Sequence, residues 1–253
     1  MKKIKLLFVL LAASGLQAQE VSINEIASLE QIYGKRQKSK ELLPMNELDI
    51  DFGYVLYQTE ITISEKGAVL EVEHIRDFGA VYVDALFQGV LSFENSRLAL
   101  AIEPGTYTLH IYTENIGRIT YGPEILDNMK GLWGESFLNG KPVKNWTMTE
   151  LKIRDCAVNS LQFISAIATT PSFHKGYFTV ENPKNIYIDI SGWGMGEVWI
   201  NGDYLGSYSD EEQQQSIQIP ASSFIEGQNE IVLFDLKNKR QTSVRLVDEP
   251  VFK

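Results

Sequence analysis

Residues 191–206 read Ser-Gly-Trp-Gly-Met-Gly-Glu-Val-Trp-Ile-Asn-Gly-Asp-Tyr-Leu-Gly, and this stretch decides the fold class. Gly192, Gly194 and Gly196 alternate with Trp193, Met195 and Glu197, so the backbone can bend sharply while every second residue presents a side chain to one face. Val198, Trp199 and Ile200 are β-branched or aromatic and read as strand; Asn201-Gly202 then supplies a hairpin turn, because both residues tolerate positive φ. A short strand entered through glycines and left through a tight turn belongs to an antiparallel sheet.

Working outward, the same signature recurs. Residues 54–57, 68–72, 79–84 and 107–112 are short, apolar or alternating segments separated by turn residues. The segment Gly79-Ala80-Val81-Tyr82-Val83-Asp84 lines up with Gly196-Glu197-Val198-Trp199-Ile200-Asn201, and residues 105–112 line up with 227–234 at similar separations. One supersecondary unit used twice predicts an all-β protein of two antiparallel jelly-roll sandwiches, the first with its connector over 45–150 and the second over 151–253. The segment 130–151, with Trp133 and Trp146, joins them, and either sandwich could take its strands.

At the start of the chain, Lys2, Lys3 and Lys5 precede an apolar run over 6–13 and a small-residue exit ending at Ala18. This is the pattern of a signal peptide over 1–18, and it predicts export to the periplasm or the extracellular space. The run is well short of the roughly 20 residues a membrane helix needs, so no membrane span is expected. Over 19–44, Ile26, Leu29, Ile32 and Tyr33 recur at helical spacing, with Asn24 placed to cap the start and Gly34 the end. The expectation is one short helix followed by a basic linker over 35–40.

The formal charge is −10, and it becomes −13 without the three leader lysines (20 basic against 33 acidic residues), which excludes nucleic acid as a partner class. Cys156 is the single cysteine, so stability has to come from apolar cores rather than an internal disulfide.

The motifs also resemble a known family. Residues 192–202 are similar to the Gly-Trp-x-x-Gly-x-Val-Trp-x-Asn-Gly segment in the carboxy-terminal galactose-binding-like sandwich of family 35 glycoside hydrolases, the β-galactosidases. Residues 114–122, Glu-Asn-Ile-Gly-Arg-Ile-Thr-Tyr-Gly, resemble that family's Glu-Asn-x-Gly-Arg-x-Asn-Tyr-Gly, with Thr120 in place of Asn. Residues 52–59, 130–132, 171–178 and 227–231 follow in the same order, so the likeness runs from about Met45 to about Leu236. The resemblance implies the domains that follow a (β/α)₈ barrel in that family, and not the barrel, which takes about 250 residues; 44 positions precede Met45. The family's catalytic carboxylates lie on the barrel, so no catalytic residue is expected here.

The residues themselves agree. Asp77, Glu114, Glu124, Asp127, Asp189, Glu197 and Asp203 are scattered at strand ends and turns, with no spacing that sets two across a sugar bond. His74, His110 and His174 have no metal-ligand spacing, and no phosphate loop or nucleophile elbow occurs, so neither metal nor cofactor is assigned. Sugar binding is the remaining chemistry, since apolar sugar faces stack on aromatic rings and hydroxyls bond to Asn and Asp. Trp193, Asn201, Asp203, Tyr204 and Tyr208 are the candidates, expected on one loop end of the second sandwich, although Trp193 and Trp199 also fit core or inter-domain packing. Ser207, Ser209 and Glu212-Gln213 depart from the family, so its loops are kept less well than its scaffold. The implied partners are a galactose-containing glycan or a separate glycosidase barrel.

Overall fold

The computed structural model describes residues 19–253 apart from positions 118, 119, 123, 124 and 127. The signal peptide expected over 1–18 lies outside the described residues. In chain order the strands are β1 (Gln19–Ser28), β2 (Tyr33–Ser39), β3 (Gly53–Ile63), β4 (Val69–Arg76), β5 (Phe78–Val83), β6 (Leu86–Ser92), β7 (Arg97–Ala99), β8 (Gly105–Asn115), β9 (Gly131–Leu138), β10 (Lys141–Pro142), β11 (Trp146–Leu151), β12 (Ile164–Ser165), β13 (Ser172–Val180), β14 (Ile186–Asp189), β15 (Met195–Ile200), β16 (Asp203–Ser209), β17 (Ser216–Ile219), β18 (Gly227–Asp235) and β19 (Ser243–Val247).

The first sandwich packs a six-stranded sheet, β2-β11-β3-β8-β5-β6, on a four-stranded one, β10-β9-β4-β7. The segment 130–151 therefore gives its strands to the first sandwich. The second is one continuous path, β16-β15-β18-β13-β1-β19-β14-β17, with β12 also on β1. It folds over at β1, which pairs β19 through residues 19–22 and β13 through residues 23–28. The internal repeat is visible in the order of strands: β3-β8-β5-β6 of the first sandwich recurs as β13-β18-β15-β16 of the second.

Strand periodicity sorts the side chains into three cores. In β3, Val55 and Tyr57 face the interior of the first sandwich, where they meet Val72 and Leu132. In β18, Ile231 and Leu233 face the interior of the second, with Val198, Ile200 and Trp193. The opposite faces of the same strands meet each other: Tyr54, Leu56 and Tyr82 pack with Phe173, Trp199, Val232 and Phe234 in a third, inter-sandwich core. This is why β3 and β15 carry runs of consecutive buried residues rather than a polar-apolar alternation.

The short helix expected over 26–33 is corrected. The segment is β1 and β2 joined by a single 3-10 turn over Leu29–Ile32, with Ser28 extended and capping Glu30. Val21 and Ile23 bury at period two, and past the bulge after Ile23 it is Ala27 and Leu29 that bury; Ile26 lies off that face, and Leu29 and Ile32 are three apart because the 3-10 turn joins them. The basic linker is likewise a strand: Lys35 to Lys38 lie on β2, an edge strand whose lysines discourage pairing with a further chain.

Candidate functional site

The face of the first sandwich's large sheet that carries Tyr54 also carries Glu114, at the end of β8, and the facing side of β15 carries Glu197 beside Trp199. Sheet packing thus brings two carboxylates together in the inter-sandwich core. Glu197 is fully buried and Glu114 is 4% exposed. The Tyr54 hydroxyl donates to Glu197 Oε1 at 2.7 Å and lies 3.0 Å from Glu114 Oε1. Arg154, from the loop after β11, donates through Nε to Glu197 Oε1 at 2.5 Å and through Nη2 to Glu114 Oε1 at 3.0 Å. Its guanidinium is capped by the Phe52 ring, 4.3 Å from the centroid, and Tyr204 donates to Glu197 Oε2 at 2.7 Å.

One guanidinium faces two carboxylates here, and one tyrosine proton can serve only one of them at a time. Burial, reinforced by the Glu197 charge, pushes the Glu114 carboxyl up to about 7, against the pull of Tyr54 and Arg154. Asp235, buried behind the same sheet face, is pushed up to about 6 by burial although backbone N–H groups around 237–239 bond to it. A carboxyl whose folded pKa is raised stabilises fully below its ordinary value, and that contribution is lost as pH rises through the folded value. Unfolding stability is therefore expected to fall between about pH 4.5 and pH 7, by an amount on the order of 3 kcal/mol from Glu114 alone. Urea midpoints measured across that window should flatten in Glu114→Gln, with Asp235 leaving a smaller residual slope; an unchanged slope would remove Glu114 as its source.

The five residues expected to form a sugar site do not share a surface. Trp193 is 1% exposed and its Nε1 donates to the Ser243 carbonyl at 3.0 Å; Tyr208 is 6% exposed and its hydroxyl donates to the Phe234 carbonyl at 2.9 Å. Both rings lie in the core of the second sandwich, which corrects the expectation that they present a stacking face. Asn201 holds its own turn, at φ 53°, by donating to Asn229 Oδ1 and the Ser223 carbonyl and accepting from Glu230 N. Asp203 is exposed on the hairpin, and Tyr204 is 46% exposed with its ring edge-on to Trp199 and its hydroxyl committed to Glu197.

Sequence reasoning passed over Arg154, because its partners lie 40 and 43 positions away. Glu197 gave a readable signal: an acid flanked by Gly196 and Val198 inside an apolar strand has to find a partner where it is buried. Cys156 is half-buried and burial pushes its thiol up to about 11, the opposite of an activated nucleophile. Among the described residues, no group of three His, Cys, Asp or Glu side chains is placed to hold a metal ion, and no helix is long and apolar enough to cross a membrane.

Two β-sandwiches fused through a shared apolar and ionic core define a class of paired all-β modules. Residues 43–152 match the first all-beta domain of β-galactosidases, and residues 171–229 match the β-galactosidase galactose-binding domain; the chain belongs to this family of β-galactosidase carboxy-terminal domains. A human protein named β-galactosidase-1-like protein 2 is 30% identical over 214 residues, covering 80% of this chain and 33% of that protein. The β-galactosidase of Xanthomonas manihotis is 32% identical over 183 residues, covering 71% of this chain and 30% of the enzyme. The β-galactosidase of Bos taurus is 26% identical over 271 residues, covering 92% of this chain and 41% of the enzyme. The chain spans about a third of the length of the relatives it matches.

Proposed function

We propose that the chain acts as an exported, non-catalytic carbohydrate-binding module of the family 35 β-galactosidase type, with a galactose-containing glycan as its ligand. The observation that carries this reading is the match of residues 171–229 to a galactose-binding domain, folded on a sandwich whose scaffold is intact. The leader-like pattern over 1–18 supports export. Non-catalytic action is supported by the state of the carboxylates that do meet. Glu114 and Glu197 are buried and both bond to the Tyr54 hydroxyl and the Arg154 guanidinium, which stand where a glycosidase would hold its sugar between two carboxyls.

A second reading is that the chain is an accessory part of a β-galactosidase whose barrel is supplied separately. What favours it is an exposed apolar group at one edge of the inter-sandwich seam: Phe52 and Ile116 flank Gly117, and Tyr121 and Leu126 follow on the same loop, all exposed.

The purified mature protein is expected to leave chromogenic β-galactosides intact and to bind galactose or galactan oligosaccharides saturably in an amide-shift titration. Turnover that persists after removal of host β-galactosidase would overturn the non-catalytic reading. Turnover appearing only when a barrel protein is added would favour the second.

A further inference from the structure

We propose that the corner where β1 passes from one layer of the second sandwich to the other is a binding site for a neutral, monosaccharide-sized polyol, held by His174 and Asn238 beneath the bulge at Asn24. The inference rests on the glycan-binding reading and deepens it, by placing the ligand away from the 203–209 hairpin.

The corner is built by the backbone. On β1, Ile23 pairs with Gly176 and Glu25 with Lys175, so Asn24 is an extra residue with no opposite number on β13. A bulge bends its strand and opens the ladder beside it, and bulges are over-represented next to sites. Here the opening is a cavity of about 480 Å³, within the range of roughly 300–1,000 Å³ usual for small-molecule sites. Its walls come from β1, from the strap over 165–168 and from the loop over 238–242, and its floor is His174 on β13.

Two polar atoms of these lining residues have no hydrogen-bond partner among the described residues. His174 is 5% exposed and its Nε2 is unpartnered; Asn238 is 9% exposed, its Nδ2 donates to the Ala168 carbonyl at 3.1 Å, and its Oδ1 is unpartnered. Buried polar atoms are satisfied in nearly all folded proteins, so two orphans on side chains that line one cavity mark a place where a ligand group completes the bonding. The chemistry of that group follows from the donors. Burial holds the His174 ring down to about 4, so it is neutral in ordinary buffers and Nε2 either gives or takes one hydrogen bond. Asn238 Oδ1 accepts only. Hydroxyls satisfy both, and an ion would find no compensating charge at this depth.

The rest of the lining agrees. Asn24 and Gln241 add amides, Ile167 adds an apolar wall for a C–H face, and among the described residues no carboxylate lines the cavity of this strongly acidic protein. Arg240, exposed, is the charged lining residue and sits on the same loop as Asn238. Behind the floor, the buried Trp193 ring packs edge-on to His174 at 5.3 Å and fixes its orientation. Trp193 thus serves the site as a positioning residue and not as a platform.

The test is a titration of the mature protein, residues 19–253, with galactose, glucose, myo-inositol and galacturonate. Calorimetry gives the affinity, and the histidine side-chain resonances, with His174 assigned by loss in His174→Gln, give the place. The expected result is saturable binding of a neutral sugar that shifts the His174 ring signal. His174→Gln should weaken it about tenfold, as for loss of one buried hydrogen bond. Ala166→Trp, an exposed rim position chosen to keep the fold, should weaken it at least as much, and Tyr204→Ala should bind as the parent does. Binding that leaves the His174 signal in place, survives Ala166→Trp and is lost in Tyr204→Ala keeps the glycan reading and overturns this site. Binding of galacturonate alone overturns the neutral ligand. No saturable binding of any probe overturns both readings.

Discussion

Arg154→Met is expected to destabilise the protein by about 3–5 kcal/mol at pH 8, because it removes the cation from a buried cluster and leaves Glu197 and Glu114 facing each other without compensation. Methionine keeps most of the volume over Phe52, so the loss reports charge more than packing. The size of the effect depends on pH, and the sign can be worked out. Burial and the Glu197 charge raise Glu114 to about 7, so at pH 8 the arginine neutralises a charge that the core resists, whereas near pH 5 Glu114 carries a proton and less is lost. Urea unfolding at both pH values checks this, and the substitution should cost less at pH 5 than at pH 8. The triple replacement of Arg154 by Met and of Glu114 and Glu197 by Gln should recover much of the stability, since a buried ionic group often contributes little over an uncharged one of similar shape. A loss under about 1 kcal/mol at pH 8 is the value typical of exposed ion pairs, and it would mean that the seam between the sandwiches admits water.

The fold was legible where the information is local. Period-two patterning, glycine entries and the Asn201-Gly202 turn gave the all-β class, and the alignment of residues 79–84 with 196–201 anticipated that β5 and β15 occupy equivalent places beside β8 and β18. The sequence misled where a strand ends in a 3-10 turn: Leu29 and Ile32 are buried three apart on the turn between β1 and β2, and with Ile26 and Tyr33 they gave an apparent helical spacing over 26–33. It also misled over Trp193 and Tyr208, expected on one loop end of the second sandwich. A Cβ at Gly196 would lie 1.7 Å from the Phe234 carbonyl oxygen, and one at Gly194 would lie 2.5 Å from Lys237 Cβ. These glycines permit close strand packing, which buries Trp193 and Tyr208 instead of offering them to a ligand. The seam between the sandwiches was hidden for another reason. It joins Tyr54, Glu114, Arg154 and Glu197 from four distant segments, and only the count of buried faces in residues 54–57, all four apolar in a row, hints that β3 has a core on each side.

Trp199→Ala is the second large effect, expected to cost about 3–5 kcal/mol, as truncation of a fully buried aromatic ring does. What distinguishes it from an ordinary core substitution is where the ring lies. Trp199 alternates with Val198 and Ile200, which face the interior of the second sandwich, and so it points the other way, against Phe173 at 5.8 Å and Tyr204 at 5.7 Å in the core shared by both sandwiches. Its removal weakens the seam while leaving the two separate cores filled. The predicted outcome is therefore a lower urea midpoint together with a broadened or split transition, as coupling between the sandwiches is lost and each unfolds closer to its own stability. The lost ring should also loosen Tyr204 and with it one donor to Glu197, whose charge helps raise Glu114, so the pH dependence traced to Glu114 should change in the same variant. Unfolding followed by far-ultraviolet circular dichroism, in parallel with tryptic cleavage after Lys152 and Arg154, reads both consequences. A cost below about 1 kcal/mol with a single sharp transition would place Trp199 outside the packed seam and return its ring to the set of surfaces open to a ligand.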